Sequence, residues 1–202
     1  MAKFAIFASG SGSNAQVLIH WVKEGKIDAE LACLVCDRPG AKVIERAEAA
    51  EVPVLVYSPK EFENKAAYEA QVVADLRARG VEYIVLAGYL RICGPTFLEA
   101  YAGKTINLHP SLLPLFPGLH AIRDAFEAGV KYTGVTVHFI DEGVDTGPII
   151  RQETVMVDQE DTLETLAEKI HQAEHRVLPE VAAQFLTGKI RLVNGQIETE
   201  IE

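Results

Sequence analysis

The stretch FAIFASGSGSN, residues 4–14, decides the fold. Phe4–Ala8 is an apolar run of strand length, and alternating serines and glycines follow in Ser9–Ser13. A helix is predicted from Asn14 to about Glu24, because its apolar residues recur at helical spacing. They are Val17, Leu18, Trp21 and Val22. A strand that passes through a glycine-rich turn into a helix is typical of the opening unit of a parallel α/β sheet.

The same alternation of strand and helix continues through the first half of the chain. Further strands are expected at Leu31–Cys36, Val52–Val56, Tyr83–Ala87 and Thr105–Leu108. Helices are expected at Ala41–Ala50 and Lys65–Arg79. Continuous apolar strands between helices indicate a parallel sheet that is covered on both faces.

The pattern changes in the C-terminal part. Tyr132–Ile140 and Ile149–Val157 alternate between apolar and polar residues, which indicates an antiparallel pair around the loop Asp141–Pro148. A final helix is expected over about Thr162–Leu186, and a short hairpin that turns at Asn194-Gly195 follows it. The predicted fold class is α/β, with a doubly wound, mostly parallel, Rossmann-like sheet and a mixed, antiparallel C-terminal portion.

Composition narrows the function classes. The chain has 202 residues, of which 49% are hydrophobic and 24% charged, and this excludes a disordered tail, a collagen and a coiled coil. At about 150 residues per domain, one domain is expected, or one domain with a small appendage. The net charge of −10 implies no basic face of the kind that nucleic-acid binders carry, although an acidic protein can still hold a local cationic pocket.

The chain has three cysteines, a small and odd number that does not suit a disulfide framework, so a reducing compartment is expected. Cys33 and Cys36 have CxxC spacing, but residues three apart on a strand point to opposite faces. They are interpreted as small buried hydrophobes, and no metal site is expected. No apolar run reaches 18 residues, so no membrane span is expected and the cytoplasm is the expected location.

Ligands of open α/β sheets bind outside the carboxyl ends of the strands, where Ser9–Ala15 lies. Its glycines permit close approach of a ligand, and the following helix N-terminus attracts anions, which predicts a phosphate site. The loop also fits the dinucleotide pattern G-x-G-x-x-A, with Asp37 near the usual ribose position. A phosphate monoester and NAD both remain open, as does a plain turn with Ser or Asn as helix cap.

The segment NLHPSLLP, residues 107–114, carries a second constellation. Asn107 and His109 are two apart, so a strand places both on one side. An amide can donate to a developing oxyanion, and a histidine can exchange a proton near neutral pH. The prolines stiffen the loop, and the Leu113–Pro114 peptide bond is open to either isomer.

The loop Asp141–Pro148 holds three carboxylates between turn-forming residues. Alone it would be interpreted as a solvated acidic loop. Beside a catalytic histidine, a carboxylate orients the ring and favours its protonated form. Asp145 is the best candidate, because Gly147-Pro148 fix the chain just after it.

Gly88–Cys93 follows a buried strand and is predicted to line a flat apolar slot for an aromatic heterocycle, although simple core packing is the alternative. Arg91 is either an anion partner or a structural cation. His138 either faces the pocket or fills the sheet. Four further polar residues are expected on solvated helix faces, namely His120, His171, Glu174 and His175.

Four motifs together resemble the folate-dependent formyltransferases, and within them the phosphoribosylglycinamide formyltransferases. They are the loop at 9–14, AGYLRI at 87–92, INLHPSLLP at 106–114 and the loop that contains Asp145, and the similarity extends through QAEHRVLP at 172–179. Methionyl-tRNA formyltransferase and formyltetrahydrofolate deformylase carry similar blocks around the Asn-x-His motif. The glycine–serine–asparagine loop, and the absence of regulatory and tRNA-binding domains, favour the glycinamide branch.

The resemblance implies a formyltransferase fold in one domain, residues 1–202, with a phosphate-binding half to about residue 100. A catalytic and folate-binding half at about 101–188 and a hairpin at about 189–202 complete it. It implies three sets of site residues. The catalytic set is Asn107, His109 and Asp145. The substrate set is Gly12, Ser13, Asn14, Gly88 and Glu174. The folate set is Lys65, Leu90, Arg91, Ile92, Cys93, Asn107, Asp141 and Val144. Lys65 stands where many relatives have arginine, which keeps a cation but loses a bidentate donor.

The implied activity is formyl transfer from 10-formyltetrahydrofolate, the co-substrate, to the amine of 5-phosphoribosylglycinamide in purine biosynthesis, without a metal. The expected partners are these two small molecules, with no nucleic acid and no membrane, in a monomer or homodimer. Three alternatives remain: a formyltetrahydrofolate hydrolase or another folate formyltransferase, an NAD-binding oxidoreductase, and a ligand sensor without turnover.

Overall fold

The computed structural model describes residues 1–200. The strands are β1 (Lys3–Ala8), β2 (Glu30–Cys36), β3 (Val54–Val56), β4 (Tyr83–Leu86), β5 (Thr105–His109), β6 (Tyr132–Phe139), β7 (Ile149–Met156), β8 (Ile190–Val193) and β9 (Gln196–Thr199). The helices are α1 (Ser13–Lys23), α2 (Lys42–Ala49), α3 (Lys65–Ala78), α4 (Pro95–Ala100), α5 (Ala121–Glu127) and α6 (Leu163–Leu186), and Pro59–Glu61 forms a short 3₁₀ turn.

Seven strands form one mixed sheet in the order β3-β2-β1-β4-β5-β6-β7. The first five are parallel, whereas β6 and β7 run antiparallel to their neighbours. The winding reverses between β1 and β4, since the chain first moves outward to β3 and then returns to the other side of β1. A reversal of this kind opens a crevice at the carboxyl ends of the two central strands.

Helices cover both faces of the sheet, so the central strands are buried on both sides. On β1, Phe4 and Ile6 face the core beneath α1, α2 and α6, whereas Phe7 faces the core beneath α3 and α4. Cys36 and Cys33 lie in these same two cores, respectively, and both are fully buried. The prediction that the two thiols point to opposite faces is therefore confirmed.

The predicted α/β class and the antiparallel C-terminal pair are confirmed, but two helices were missed. The helices α4 and α5 have only six and seven residues, too few for an apolar face to recur over several turns. The edge strand β3 begins at Val54 rather than Val52, because Pro53, which has no N–H, precedes it. The Leu113–Pro114 peptide bond is cis.

The terminal hairpin turns at Asn194 and Gly195, whose φ angles are 51° and 76°. Two successive left-handed residues match the two-residue turn that was predicted there. The last two residues of the expected hairpin, 201 and 202, lie outside the described residues. Across residues 1–200, no helix combines the length and the apolar character that crossing a membrane requires.

The long helix α6 should supply much of the stability of one core. Leu178, on α6, is fully buried. Leu178→Ala is expected to lower the free energy of unfolding by about 2–5 kcal/mol, because it removes apolar contacts and leaves a cavity. Val193→Ala, at a position 37% exposed, should change it by less than about 1 kcal/mol. Denaturant unfolding of both variants tests this, and equal losses would contradict it.

Candidate active site

A cavity of about 630 Å³ opens at the carboxyl ends of β1, β4 and β5, within the size range of small-molecule sites. Its wall contains every residue that the sequence singled out for substrate, folate or catalysis. These are Gly12, Ser13, Asn14, Lys65, Gly88, Leu90, Arg91, Ile92, Cys93, Asn107, His109, Asp141, Val144, Asp145 and Glu174. Segments that are far apart in the sequence therefore share one space.

The glycine loop after β1 is shaped for close approach. Gly12 is the N-cap of α1 with φ 76°, so the alternative of a plain turn capped by Ser or Asn does not hold. A Cβ at Gly12 would lie 2.3 Å from Val43 Cγ2, which leaves no room for another side chain. Because glycine offers no capping side chain, the first-turn N–H groups of α1 remain available to a ligand. Arg46 Nε donates to the Ser11 carbonyl at 2.7 Å and holds the loop from outside.

Glu174 lies on α6 but not on a solvated face, which corrects the expectation from its position alone. It is 5% exposed, and its Oε2 accepts hydrogen bonds from Asn14 Nδ2 at 3.0 Å and from His171 Nδ1 at 2.9 Å. The bond to Glu174 raises the pKa of His171, which also lines the cavity. Burial lowers the pKa of the neighbouring His175. This part of the cavity thus combines a carboxylate, an amide and an imidazole.

Asn107 and His109 both face the cavity from β5, as alternate residues of a strand must. Opposite Asn107 on β6 stands His138, whose Nε2 lies 3.2 Å from Asn107 Nδ2. His138 Nδ1 lies 2.8 Å from the Phe139 carbonyl and donates to it. Burial lowers the pKa of His138, so its ring is neutral at pH 7 and Nε2 accepts from the Asn107 amide. His138 thereby orients the amide of Asn107.

His109 is 4% exposed and is contacted at both ring nitrogens. Nδ1 lies 3.4 Å from Asp145 Oδ2, and Nε2 donates to the Phe116 carbonyl at 2.8 Å. Asp145 Oδ2 also accepts from the Gly118 N–H at 2.8 Å, and its Oδ1 lies 3.8 Å from His138 Nε2. The acidic loop and the end of β5 therefore meet at one carboxylate.

The loop that carries Asp145 is held by hydrogen bonds between its own residues. Asp141 Oδ1 accepts from Thr146 Oγ1 at 2.6 Å and from the Gly143 N–H at 2.9 Å. A Cβ at Gly147 would lie 1.8 Å from the Phe139 carbonyl oxygen, so only glycine permits this close approach. Asp145 itself has φ 55°, a left-handed conformation that aspartate tolerates better than most residues.

The slot after β4 has an unusually apolar rim. Leu90, Ile92 and Val144 are 45%, 55% and 46% exposed, although all three line the cavity. Clustered exposed apolar side chains at a concave site indicate a ligand surface. Burial raises the pKa of Cys93 to about 12, so its thiol stays neutral. Lys65, at the start of α3, lines the same cavity.

Asp37, which the dinucleotide alternative would assign to a ribose, does not line the cavity. Its carboxylate accepts from Ser9 Oγ at 2.5 Å and lies 3.8 Å from Arg91 Nη1. Asp37 is 5% exposed, so it is not free to receive a ribose. Within residues 1–200, no three His, Cys, Asp or Glu side chains are grouped so that they could hold a metal ion.

A model of the family described as formyl transferase matches residues 2–182 of the chain. The chain belongs to this family. It is 55% identical over 186 residues to a phosphoribosylglycinamide formyltransferase of Bacillus subtilis (strain 168), which covers 92% of the chain and 95% of the relative.

Two solved structures are similar along nearly their whole length. The phosphoribosylglycinamide formyltransferase of Bacillus halodurans has a TM-score of 0.89 at 53% identity, covering 92% of this chain and 95% of that one. Glycinamide ribonucleotide transformylase 1 of Symbiobacterium toebii has a TM-score of 0.95 at 39% identity, covering 100% and 95%. The fold of this family member is therefore the formyltransferase fold.

Sequence reasoning missed three contacts around the site. The sequence left open whether His138 faces the pocket, so its hydrogen bond with Asn107 was not predicted. The pairing of β5 with β6 would have suggested this bond. Arg46 lies on the outer side of the glycine loop and has no signal in sequence. The Phe116 carbonyl reaches His109 through a loop whose path the pattern does not define.

His138 and His171, whose pKa values are shifted in opposite directions, predict opposite effects of pH on stability. Because the pKa of His138 is lowered in the folded protein, the unfolded chain takes up a proton at this residue first as pH falls. The contribution of His138 to the free energy of unfolding is therefore lost below about pH 6.5. The raised pKa of His171 means that its contribution is present at low pH and lost as pH rises through the folded-state pKa.

The difference in unfolding free energy between wild type and His138→Gln should therefore shrink from pH 8 to pH 5. The corresponding difference for His171→Gln should grow over the same range. Denaturant titrations at several pH values measure both, and each variant serves as the control for the other. Slopes of the same sign would contradict the assignment.

Proposed function

We propose that this chain transfers the formyl group of 10-formyltetrahydrofolate to the amine of 5-phosphoribosylglycinamide, giving the formylated product in purine biosynthesis. The observation that carries the proposal is one cavity that joins a glycine loop at a helix N-terminus to an amide, an imidazole and a carboxylate. A hydrolase that releases formate would use the amide, the imidazole and the carboxylate, but it has no need of the glycine loop.

The acceptor is proposed to bind at the β1 side of the cavity. Its phosphate would receive hydrogen bonds from the N–H groups of Gly12, Ser13 and Asn14, where the helix dipole favours negative charge. Glu174, already oriented by Asn14, is suited to accept hydrogen bonds from ribose hydroxyls. Gly88, with φ 81° and no Cβ neighbour within 4 Å, leaves room for the sugar.

Folate is proposed to bind between the segment after β4 and the acidic loop. The pterin would lie against Leu90, Ile92 and Val144, which would cover the exposed apolar rim. Cys93 and Asp141 complete the walls of this pocket. The anionic glutamate tail would lie near the two cations on this side, Lys65 and Arg91.

In the proposed reaction, the glycinamide nitrogen attacks the formyl carbon and a C–N bond forms. The tetrahedral intermediate carries its negative charge on the former carbonyl oxygen, and the amide of Asn107 and protonated His109 donate to it. The bond between the carbon and N10 then breaks, and a water relays the proton from the attacking amine to N10. Holding both substrates in one cavity supplies much of the acceleration.

His109 has to exchange partners for this role. Its Nε2–H now points to the Phe116 carbonyl. Donation to the formyl oxygen therefore requires that this bond be released while Asp145 keeps its place beside Nδ1. The carboxylate of Asp145 then compensates the positive charge of the ring.

The reaction as proposed takes place between two small molecules in the cytoplasm, in a monomer or homodimer. Neither nucleic acid nor a membrane takes part, and no step requires a metal. The polypeptide acts as a single domain, residues 1–202.

The test of the proposed function is an assay with both substrates. The purified protein should form formylated product from 10-formyltetrahydrofolate and 5-phosphoribosylglycinamide, in equal amount to the tetrahydrofolate released. Without the acceptor, formate release should be at least about a hundredfold slower. Formate release that is independent of the acceptor would identify a hydrolase instead. NADH titration, followed by fluorescence, should show no binding.

Two variants test the proposed catalytic roles. His109→Ala should lower kcat by about a hundred- to a thousandfold, the usual cost of one oxyanion donor. Asp145→Asn keeps an acceptor for the Gly118 N–H but loses the charge beside the ring. It should therefore also lower kcat. Binding of both substrates, measured by calorimetry, should change only a few-fold.

His20→Ala is the matched control, since the His20 side chain is 65% exposed on α1 and lies outside the cavity. Its kcat should equal that of the wild type. A near-normal kcat in His109→Ala or Asp145→Asn would remove that residue from the mechanism.

A further inference from the structure

One hydrogen-bond network joins the ends of three strands behind residues 88–91, which form the wall of the slot after β4. Ser9 follows β1, Asp37 follows β2, and the segment 88–91 follows β4. The Leu90 N–H donates to Ser9 Oγ at 3.0 Å, and Ser9 Oγ donates to Asp37 Oδ1 at 2.5 Å. The Ser9 N–H also donates to the Gly88 carbonyl at 3.0 Å. Ser9 thus holds the wall segment at two points.

The direction of these bonds is set by Asp37. An ionised carboxylate only accepts hydrogen bonds, so the Ser9 hydroxyl must turn its proton towards Asp37. A lone pair of Ser9 Oγ then faces the Leu90 N–H. Ser9 and Asp37 are only 1% and 5% exposed, so water does not substitute readily for either partner.

The charge of Asp37 is matched from the wall itself. Arg91 Nη1 lies 3.8 Å from Asp37 Oδ2, and its guanidinium lies 5.5 Å from the centre of the Tyr68 ring. Buried carboxylates are retained where they are hydrogen-bonded and paired. The same carboxylate therefore ties down two successive residues of the wall, Leu90 through Ser9 and Arg91 directly.

We propose that Asp37 is a positioning residue for the folate co-substrate, acting through Ser9 and Arg91 on the wall segment 88–91. The inference rests on the proposed function, since it takes this wall to be the side of the cavity that holds folate. The inference predicts an effect on folate and not on the acceptor. The network ends on Leu90 and Arg91, on the proposed folate side, whereas Glu174 and Arg46 hold the acceptor side.

The experiment compares steady-state kinetics of Ser9→Ala, Asp37→Ala and the double variant with the wild type. Loss of one buried hydrogen bond that holds the wall should raise KM for 10-formyltetrahydrofolate about tenfold. The KM for the acceptor and kcat at saturating folate should stay within about twofold. Because Ser9 and Asp37 share one hydrogen-bond network, their effects should not be independent, and the double variant should raise KM by less than the product of the two single effects.

Asp37→Asn tests the charge separately. It keeps an acceptor for Ser9 but no longer pairs with Arg91, so its KM for folate should lie between those of the wild type and Asp37→Ala. Asp75→Asn is the matched control. Asp75 accepts from the Tyr57 hydroxyl at 2.7 Å, a similar bond outside the cavity, and removing the charge of Asp75 should leave both KM values unchanged.

An unchanged KM for folate in Ser9→Ala, a parallel rise in both KM values, or additive effects in the double variant would overturn the proposal. If Asp37→Ala does not fold, Ser9→Ala still decides, by fluorescence titration with a folate analogue that needs no turnover. Failure of the wild type to transfer formyl groups would instead refute the proposed function.

Discussion

The site depends on one carboxylate that joins three segments of the chain. Asp145 accepts from the Gly118 N–H and lies beside the ring nitrogens of His109 and His138. Its left-handed backbone costs about 1–2 kcal/mol. A hydrogen bond to a charged acceptor contributes about 1.5–3 kcal/mol, which is enough to offset that cost. The acidic loop is therefore stable in the conformation that places an acid beside β5.

The pairing of β5 with β6 gives two histidines different tasks. His138 is neutral and fixes the amide of Asn107, whereas His109 faces the carboxylate. A neutral neighbour orients the amide without placing a positive charge next to His109. The register of the antiparallel pair sets His138 directly opposite Asn107.

Much of this arrangement could be predicted from sequence, and the reasons differ by residue. Asn107 and His109 were assigned to one side because strand periodicity is strict. The glycine loop was assigned to a phosphate because it permits close approach at a helix N-terminus, and Gly12 itself was assigned from the resemblance to the formyltransferases. The burial of Glu174 did not follow from its own helix, because the apolar period says nothing about a partner such as Asn14 more than a hundred residues away. The role of Phe116 depends on the path of a loop, which no periodicity encodes.

The protein carries ten more negative than positive charges, yet both proposed substrates are anions. Screening resolves the conflict, because charges further than about 8 Å from a bound phosphate or carboxylate contribute little at physiological ionic strength. Local groups then decide: the N-terminus of α1 and His171 on one side, Lys65 and Arg91 on the other. Asp37 and Glu174, the buried acids beside these groups, are already occupied by hydrogen-bond donors. Asp37 and Glu174 therefore hold the walls of the cavity, and the cations and N–H groups that line it are the partners available to the anionic groups of the two proposed substrates.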